Sequence, residues 1–131
     1  MALEDSLNGG FHYLVAQNKP LLIVTFIGDM DRSAVESLLS CRRDIAAAED
    51  IRFVIFNFRD VSSVSGEAIT SFTQMQVEIR TRGCELRISS MSPALREQLL
   101  RMGVIRSSEL SNNLREALLS MVHTIKGRSA A

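Results

Sequence analysis

The stretch Ile51-Arg52-Phe53-Val54-Ile55-Phe56-Asn57-Phe58-Arg59-Asp60-Val61-Ser62-Ser63-Val64-Ser65-Gly66-Glu67-Ala68 decides the fold. Arg52 apart, residues 51–58 form a nearly continuous apolar and β-branched run, which predicts a central strand covered on both faces. A serine-rich loop follows and opens at Ser65-Gly66-Glu67-Ala68 directly into an amphipathic pattern. A strand feeding a helix leaves the first backbone N–H groups of that helix unpaired and pointing outward, a position suited to an anion, a phosphate or an acidic group of a partner. Glu67 falls in the first helical turn, where the macrodipole favours a carboxylate by roughly 0.3–1 kcal/mol. The function is expected at this junction.

Downstream, a helix is predicted over 66–82, with Ile69, Phe72, Met75, Val77 and Ile79 mostly on one stripe and Gly83 as its C-terminal cap. Phe72 and Met75 are expected in the core. A strand over 86–90, a helix over 94–102 started by Ser92-Pro93 and closed by Gly103, and a brief edge strand at Val104-Ile105 come next. Asn112 or Asn113 caps a last helix through about Ile125, with Leu114, Ala117, Leu118, Met121 and Val122 on its apolar side. Upstream, 11–17 and 21–27 read as an antiparallel pair joined at Asn18-Lys19-Pro20. After Gly28-Asp29-Met30-Asp31, helical spacing of Val35, Leu38, Leu39, Ile45 and Ala46 predicts a helix ending near Ala48, capped by Asp31 or Ser33, with Ser33 and Glu36 spaced as a capping box. Strand-helix alternation from residue 21 implies an α/β sandwich: a mixed, mostly parallel sheet of about four to five strands with about four helices. Residues 1–10 are expected to be a flexible lead-in, 11–125 the folded domain and 126–131 a flexible tail.

A chain of 131 residues, 46% hydrophobic, supports one cored domain and not two. Fifteen basic residues balance fifteen acidic ones, so no net field draws the protein to nucleic acid or to an anionic membrane. The opening Met-Ala-Leu-Glu-Asp is acidic and lacks a basic region followed by an apolar core, and the longest apolar run falls far short of the roughly 20 residues that span a bilayer. A soluble, cytoplasmic protein without direct membrane insertion is expected. Cys41 and Cys84 lack metal-ligand spacing and lie in or beside apolar-periodic elements, which predicts buried free thiols. There is no Gly-rich phosphate loop, nucleophile elbow or metal motif, and His12 and His123 have no neighbouring nucleophile in sequence, so no enzyme, cofactor or metal site is expected.

In order and spacing the chain resembles a STAS domain, the fold of bacterial anti-sigma factor antagonists, over residues 13–124. VTFIGDMD, residues 24–31, is similar to the family's strand ending in G-E-L-D; residues 53–65 resemble its V-L-D-L-S segment leading to the D-S-S-G signature; Ser92-Pro93 matches its S-P helix start. Counting back without gaps from Ser92-Pro93 sets Ser65 at the signature's Asp, Gly66 at its first Ser, Glu67 at its second Ser and Ala68 at its Gly, and Asn57 at the Asp of D-L-S. In phosphorylated members a partner kinase modifies the second Ser and thereby switches off binding to the anti-sigma factor. The resemblance therefore implies that Glu67 occupies the phosphosite and holds a fixed charge where phosphoserine would carry roughly −1.5 to −2.

Three readings of Glu67 stay open: a first-turn residue with no further role, a domain locked in one binding state, or regulation moved to a hydroxyl among Ser62, Ser63, Ser65, Thr70 and Ser71, with Ser65 preferred as acceptor. Asp29 and Asp31 read as loop and cap residues, and through the resemblance as interface residues, not metal ligands. The expected partner surface comprises Asp29, Asp31, Ser63, Ser65, Gly66, Glu67, Thr70, Ser71 and Gln74. Its partner is expected to be a protein, an anti-sigma factor or serine kinase. Alternatives are a subunit of a larger assembly such as a stress-signalling scaffold or transporter, a homo-oligomer, or a small-ligand sensor. Arg80, Arg82, Arg96 and Arg101 read either as an acidic-partner patch or as ordinary solvent faces.

Overall fold

The computed structural model describes residues 10–130, so the lead-in expected over 1–10 lies outside the described residues except for Gly10. Five strands form one sheet in the order β1 (His12–Asn18), β2 (Leu21–Ile27), β3 (Phe53–Asp60), β4 (Glu85–Ser89) and β5 (Leu110–Ser111). β1 is antiparallel to β2 and every later pairing is parallel, as the alternation predicts. Four helices connect and cover them: α1 (Val35–Ala47), entered through a one-turn 3-10 helix Arg32–Ala34, then α2 (Glu67–Thr81), α3 (Pro93–Arg101) and α4 (Leu114–Ala130). α4 passes the end expected near Ile125; the intervening sequence contains no proline to stop it.

Strand alternation divides the side chains between two faces. Leu22, Val24 and Phe26 of β2, Val54, Phe56 and Phe58 of β3, and Leu86 and Ile88 of β4 point to one side, where they meet Leu38, Cys41 and Ile45 of α1, Phe72, Met75 and Ile79 of α2, and Leu95 and Leu99 of α3. Phe26 centres an aromatic group there, 5.9 Å from Phe11, 5.2 Å from Phe56 and 5.3 Å from Phe58 between ring centroids. On the other side Phe53 and Ile55 pack with Ala117 and Met121 of α4, and Leu21 and Ile23 of β2 and Leu114 and Leu118 of α4 border them. β3 is thus buried on both faces over Phe53–Phe56, as its nearly continuous apolar run predicts. Cys41 and Cys84 are buried free thiols, as expected, and burial pushes the Cys41 thiol up to about 12.

Capping follows the sequence signals with one exception. Ser92 Oγ accepts from the Leu95 N–H at 3.3 Å with Pro93 behind it, and Asn113 Oδ1 accepts from the Glu116 N–H at 2.9 Å. α2 closes with Gly83 N–H on the Arg80 carbonyl and Cys84 N–H on the Ile79 carbonyl, the paired bonds of a Schellman ending. The Ser33-to-Glu36 capping box does not form: Ser33 lies inside the 3-10 turn and its hydroxyl donates to Asp31 Oδ1 at 2.6 Å, so Asp31 is the cap. Four residues expected at apolar helical positions, Leu39, Ala46, Val77 and Val122, face solvent instead.

The edge strand expected at Val104-Ile105 lies at Leu110–Ser111. Val104 has no backbone group left for a ladder, because its N–H donates to the Leu99 carbonyl, closing α3, and its carbonyl accepts from Gln76 Nε2 at 3.1 Å. Gln76 Oε1 in turn accepts from Arg80, whose guanidinium pairs with Glu109. This network fastens α2 to the turn before β5.

Candidate functional site

At the C-terminal ends of β2 and β3, two loops run side by side as an extension of the sheet. Gly28 N–H donates to the Asp60 carbonyl at 3.0 Å, Met30 N–H to the Ser63 carbonyl at 2.9 Å and Ser65 N–H to the Met30 carbonyl at 2.9 Å. Met30 and Val64 form a parallel bridge, and both side chains are buried. Hydrophobic anchors thus turn inward while the polar residues between them turn out. Gly28 suits its φ of +102°, and a Cβ there would also make a tight contact, 3.2 Å from the Phe11 Cα.

The acidic residues in the first loop are held by short local bonds. Asp29 is exposed and its Oδ1 accepts from Ser62 Oγ of the second loop at 2.7 Å. Asp31 accepts from both the hydroxyl and the backbone N–H of Ser33, and these bonds hold its carboxyl below the usual carboxylate range. These partners account for both carboxylates without a metal, and among the described residues no group of three or more His, Cys, Asp or Glu could hold one.

The second loop delivers the helix. Gly66 caps α2 at φ 60° and ψ −140°, a conformation open to glycine, and no side chain caps the helix. Ser65, Gly66 and Glu67 are all exposed at this end. Arg32, across the gap in the 3-10 turn, reaches Glu67 Oε1 at 3.9 Å; with both side chains largely in solvent, this pair contributes about 0–1 kcal/mol. The Glu67 carboxylate is therefore presented outward at the positive end of the helix.

From Glu67 the outer face of α2 continues through Thr70, Ser71 and Gln74 at helical spacing. Thr70 and Gln74 are exposed and Ser71 is half-buried, whereas Phe72 and Met75 are core, as predicted. Ser63 is half-buried with its carbonyl in the inter-loop bond. The fold thus gathers Asp29, Asp31, Ser63, Ser65, Gly66 and Glu67 at one end of the domain, with Thr70, Ser71 and Gln74 extending along α2.

Sequence reasoning missed the arginines of α1 and its entry turn. Arg32 faces Glu67, and Arg42 reaches from α1 to α2, donating to Glu78 at 3.0 and 2.7 Å and to Gln74 at 3.2 Å. These bonds hold the Glu78 carboxyl below its ordinary range. Spacing of Arg and Glu on separate helices carries no signal until the helices are packed. The four arginines read as one candidate patch are dispersed: Arg80 pairs with Glu109, Arg82 donates to the Ile45 and Ala48 carbonyls at the end of α1, and Arg96 and Arg101 lie on α3, Arg101 paired with Glu97.

Among the described residues no helix is long and apolar enough to cross a membrane. No curated protein sequence matches the chain. Similar solved structures include a sulfate transporter family protein from Wolinella succinogenes (TM-score 0.74, 17% identity, covering 85% of this chain and 92% of that one). The phosphorylated form of the Bacillus cell fate determinant SpoIIAA is also similar (TM-score 0.64, 14% identity, 84% and 98% covered). A third is a serine-to-glutamate variant of RsbS from Moorella thermoacetica (TM-score 0.73, 12% identity, 87% and 97% covered). At these identities the likeness is one of fold. The family model of the STAS domain matches residues 12–117, so the two zipped loops, the antiparallel first strand and the helices above them belong to a member of the STAS-domain family.

Proposed function

We propose that this chain is a non-enzymatic, cytoplasmic regulator that binds a protein partner through the loops 28–31 and 60–65 and the first turns of α2, in the manner of an anti-sigma factor antagonist. The observation that carries this reading is the outward carboxylate of Glu67 on an uncapped helix start, beside loops whose backbone is already paired. Glu67 stands where the family resemblance puts the phosphorylated serine, and the domain carries a permanent charge at that position. Charge reversal tests it. Glu67→Lys is expected to change recovery of the partner from native cells while leaving the melting temperature close to that of the parent, because Glu67 is exposed; a partner recovered equally with both overturns the reading. Peptide mass spectrometry of the native protein beside Ser65→Ala decides whether a hydroxyl switch accompanies the fixed charge.

A second reading, a regulatory subunit of a larger assembly, draws support from the fold likeness to the sulfate transporter family protein. A stable homo-oligomer or co-purification with an ATPase favours it over the first, and a monomer that binds one kinase-like partner favours the first.

A further inference from the structure

α1 and α2 run alongside each other, linked at one end by Arg32 and Glu67, in the middle by Arg42 with Gln74 and Glu78, and at the far end by Arg82 on the Ile45 and Ala48 carbonyls. Between them an open groove of about 480 Å³ exposes apolar surface, with buried Ile45, Met75 and Ile79 in its floor. Its walls carry Leu39 and Val77, 41% and 50% exposed, two large side chains on core-type helices left open among the described residues. The rim has three arginines, Arg42, Arg43 and Arg82, against one acid, Glu78, leaving a formal charge of +2. Glu78 is taken by Arg42, and Arg43 is exposed.

We propose that this groove seats an acidic amphipathic helix of the partner, continuing the contact that begins at Glu67; this rests on the reading of the chain as a protein-binding module. Continuity is built into α2. Glu67, Thr70, Gln74, Val77 and Thr81 follow one another along a single face, so a partner engaged at the loops is led into the groove. The chemistry selects the occupant. Along the walls, Leu39 to Arg43 and Met75 to Ile79 lie within α1 and α2 with their backbone groups bonded in the helical ladders, and at the far end the Ile45 and Ala48 carbonyls are taken by Arg82, so an extended strand laid there would leave its own N–H and C=O groups unsatisfied against apolar surface. A helix brings its backbone already paired and offers apolar residues at three- and four-residue spacing to Leu39 and Val77. Acidic residues flanking that stripe complement Arg43 and Arg82.

The test uses the full chain carrying a photo-crosslinking benzoylphenylalanine at Val77, at Thr70, or at Leu119 on α4 as an exposed control, irradiated in native cells, with the captured peptide sequenced. Val77 is expected to capture a partner segment with net negative charge and apolar residues at helical spacing. A synthetic peptide of that segment is then expected to bind Arg43→Glu about tenfold more weakly than the parent, with unchanged melting of the variant. Capture at Val77 of a segment lacking that pattern, of a second copy of this chain or of a lipid overturns the proposal, as does capture no greater than at Leu119. Capture at Thr70 without Val77 removes the groove and keeps the loop-binding function; capture at Val77 without Thr70 does the reverse; capture at neither removes both.

Discussion

The two faces of the sheet are covered to different depths. One carries α1, α2 and α3 over a continuous apolar cluster; the other carries α4 alone, over Phe53 and Ile55. The thick face also organises the site, because Met30, Val64, Ala68 and Phe72 bind the loops and the start of α2 into the same cluster. On the thin face lies Ser89, fully buried at the end of β4 beside Asn57 and Ser111, with a hydroxyl that finds no hydrogen-bond partner among the described residues. The larger core and the candidate site thus lie on one side, and the other side closes the domain.

That contrast can be broken by truncating one large residue from each face. Phe72→Ala is expected to cost about 3–5 kcal/mol, and Met121→Ala about 2 kcal/mol, the low end for such a truncation because α4 can settle over the gap. Urea unfolding measures both, and equal losses would mean that the two faces carry equal weight. A second test uses pH. The Cys41 thiol, raised from 9.0 to about 12 first by burial and then by the Asp44 charge, keeps its proton in the native state where the unfolded chain releases it. The folded pKa is the higher one, so this contribution is complete below pH 9.0 and is lost as pH climbs through about 12, at roughly 1.4 kcal/mol per pH unit for one proton. Comparing the alkaline fall in urea midpoint of the parent with that of Cys41→Ala isolates it; parallel curves would show that the thick face tolerates a thiolate. The smallest effect is expected on the thin face. Ser89→Ala removes an unsatisfied hydroxyl and should leave stability unchanged or raise it by up to about 1 kcal/mol, whereas a clear loss by thermal melting would reveal a partner for that group.

Most of this architecture was legible from periodicity and caps, because residues 51–58, the Ser92-Pro93 start and the Gly83 stop are local signals that tertiary packing reinforced. What escaped was set at a distance. Val104 reads as strand until Gln76, 28 residues earlier, takes its carbonyl. Leu39 and Val77 fit the apolar stripes of their helices, yet both are exposed along the groove between α1 and α2. The residues of the site were legible as a group through the signature loop and the order of elements. Their geometry was not, since the pairing of Met30 with Val64 and the reach of Arg42 to Glu78 depend on segments more than thirty positions apart.

The pairing of the two loops also bears on kinetics. A flexible loop must be ordered as it is bound, and each immobilised side chain alone costs about 0.5–1.5 kcal/mol. Here the backbone of both loops is fixed before any partner arrives, by bonds at Gly28, Met30 and Ser65 and by two buried anchors. For the partner binding proposed above, encounter and orientation, not a folding step, then set the pace of association, and selectivity is exercised mainly through how long a partner stays.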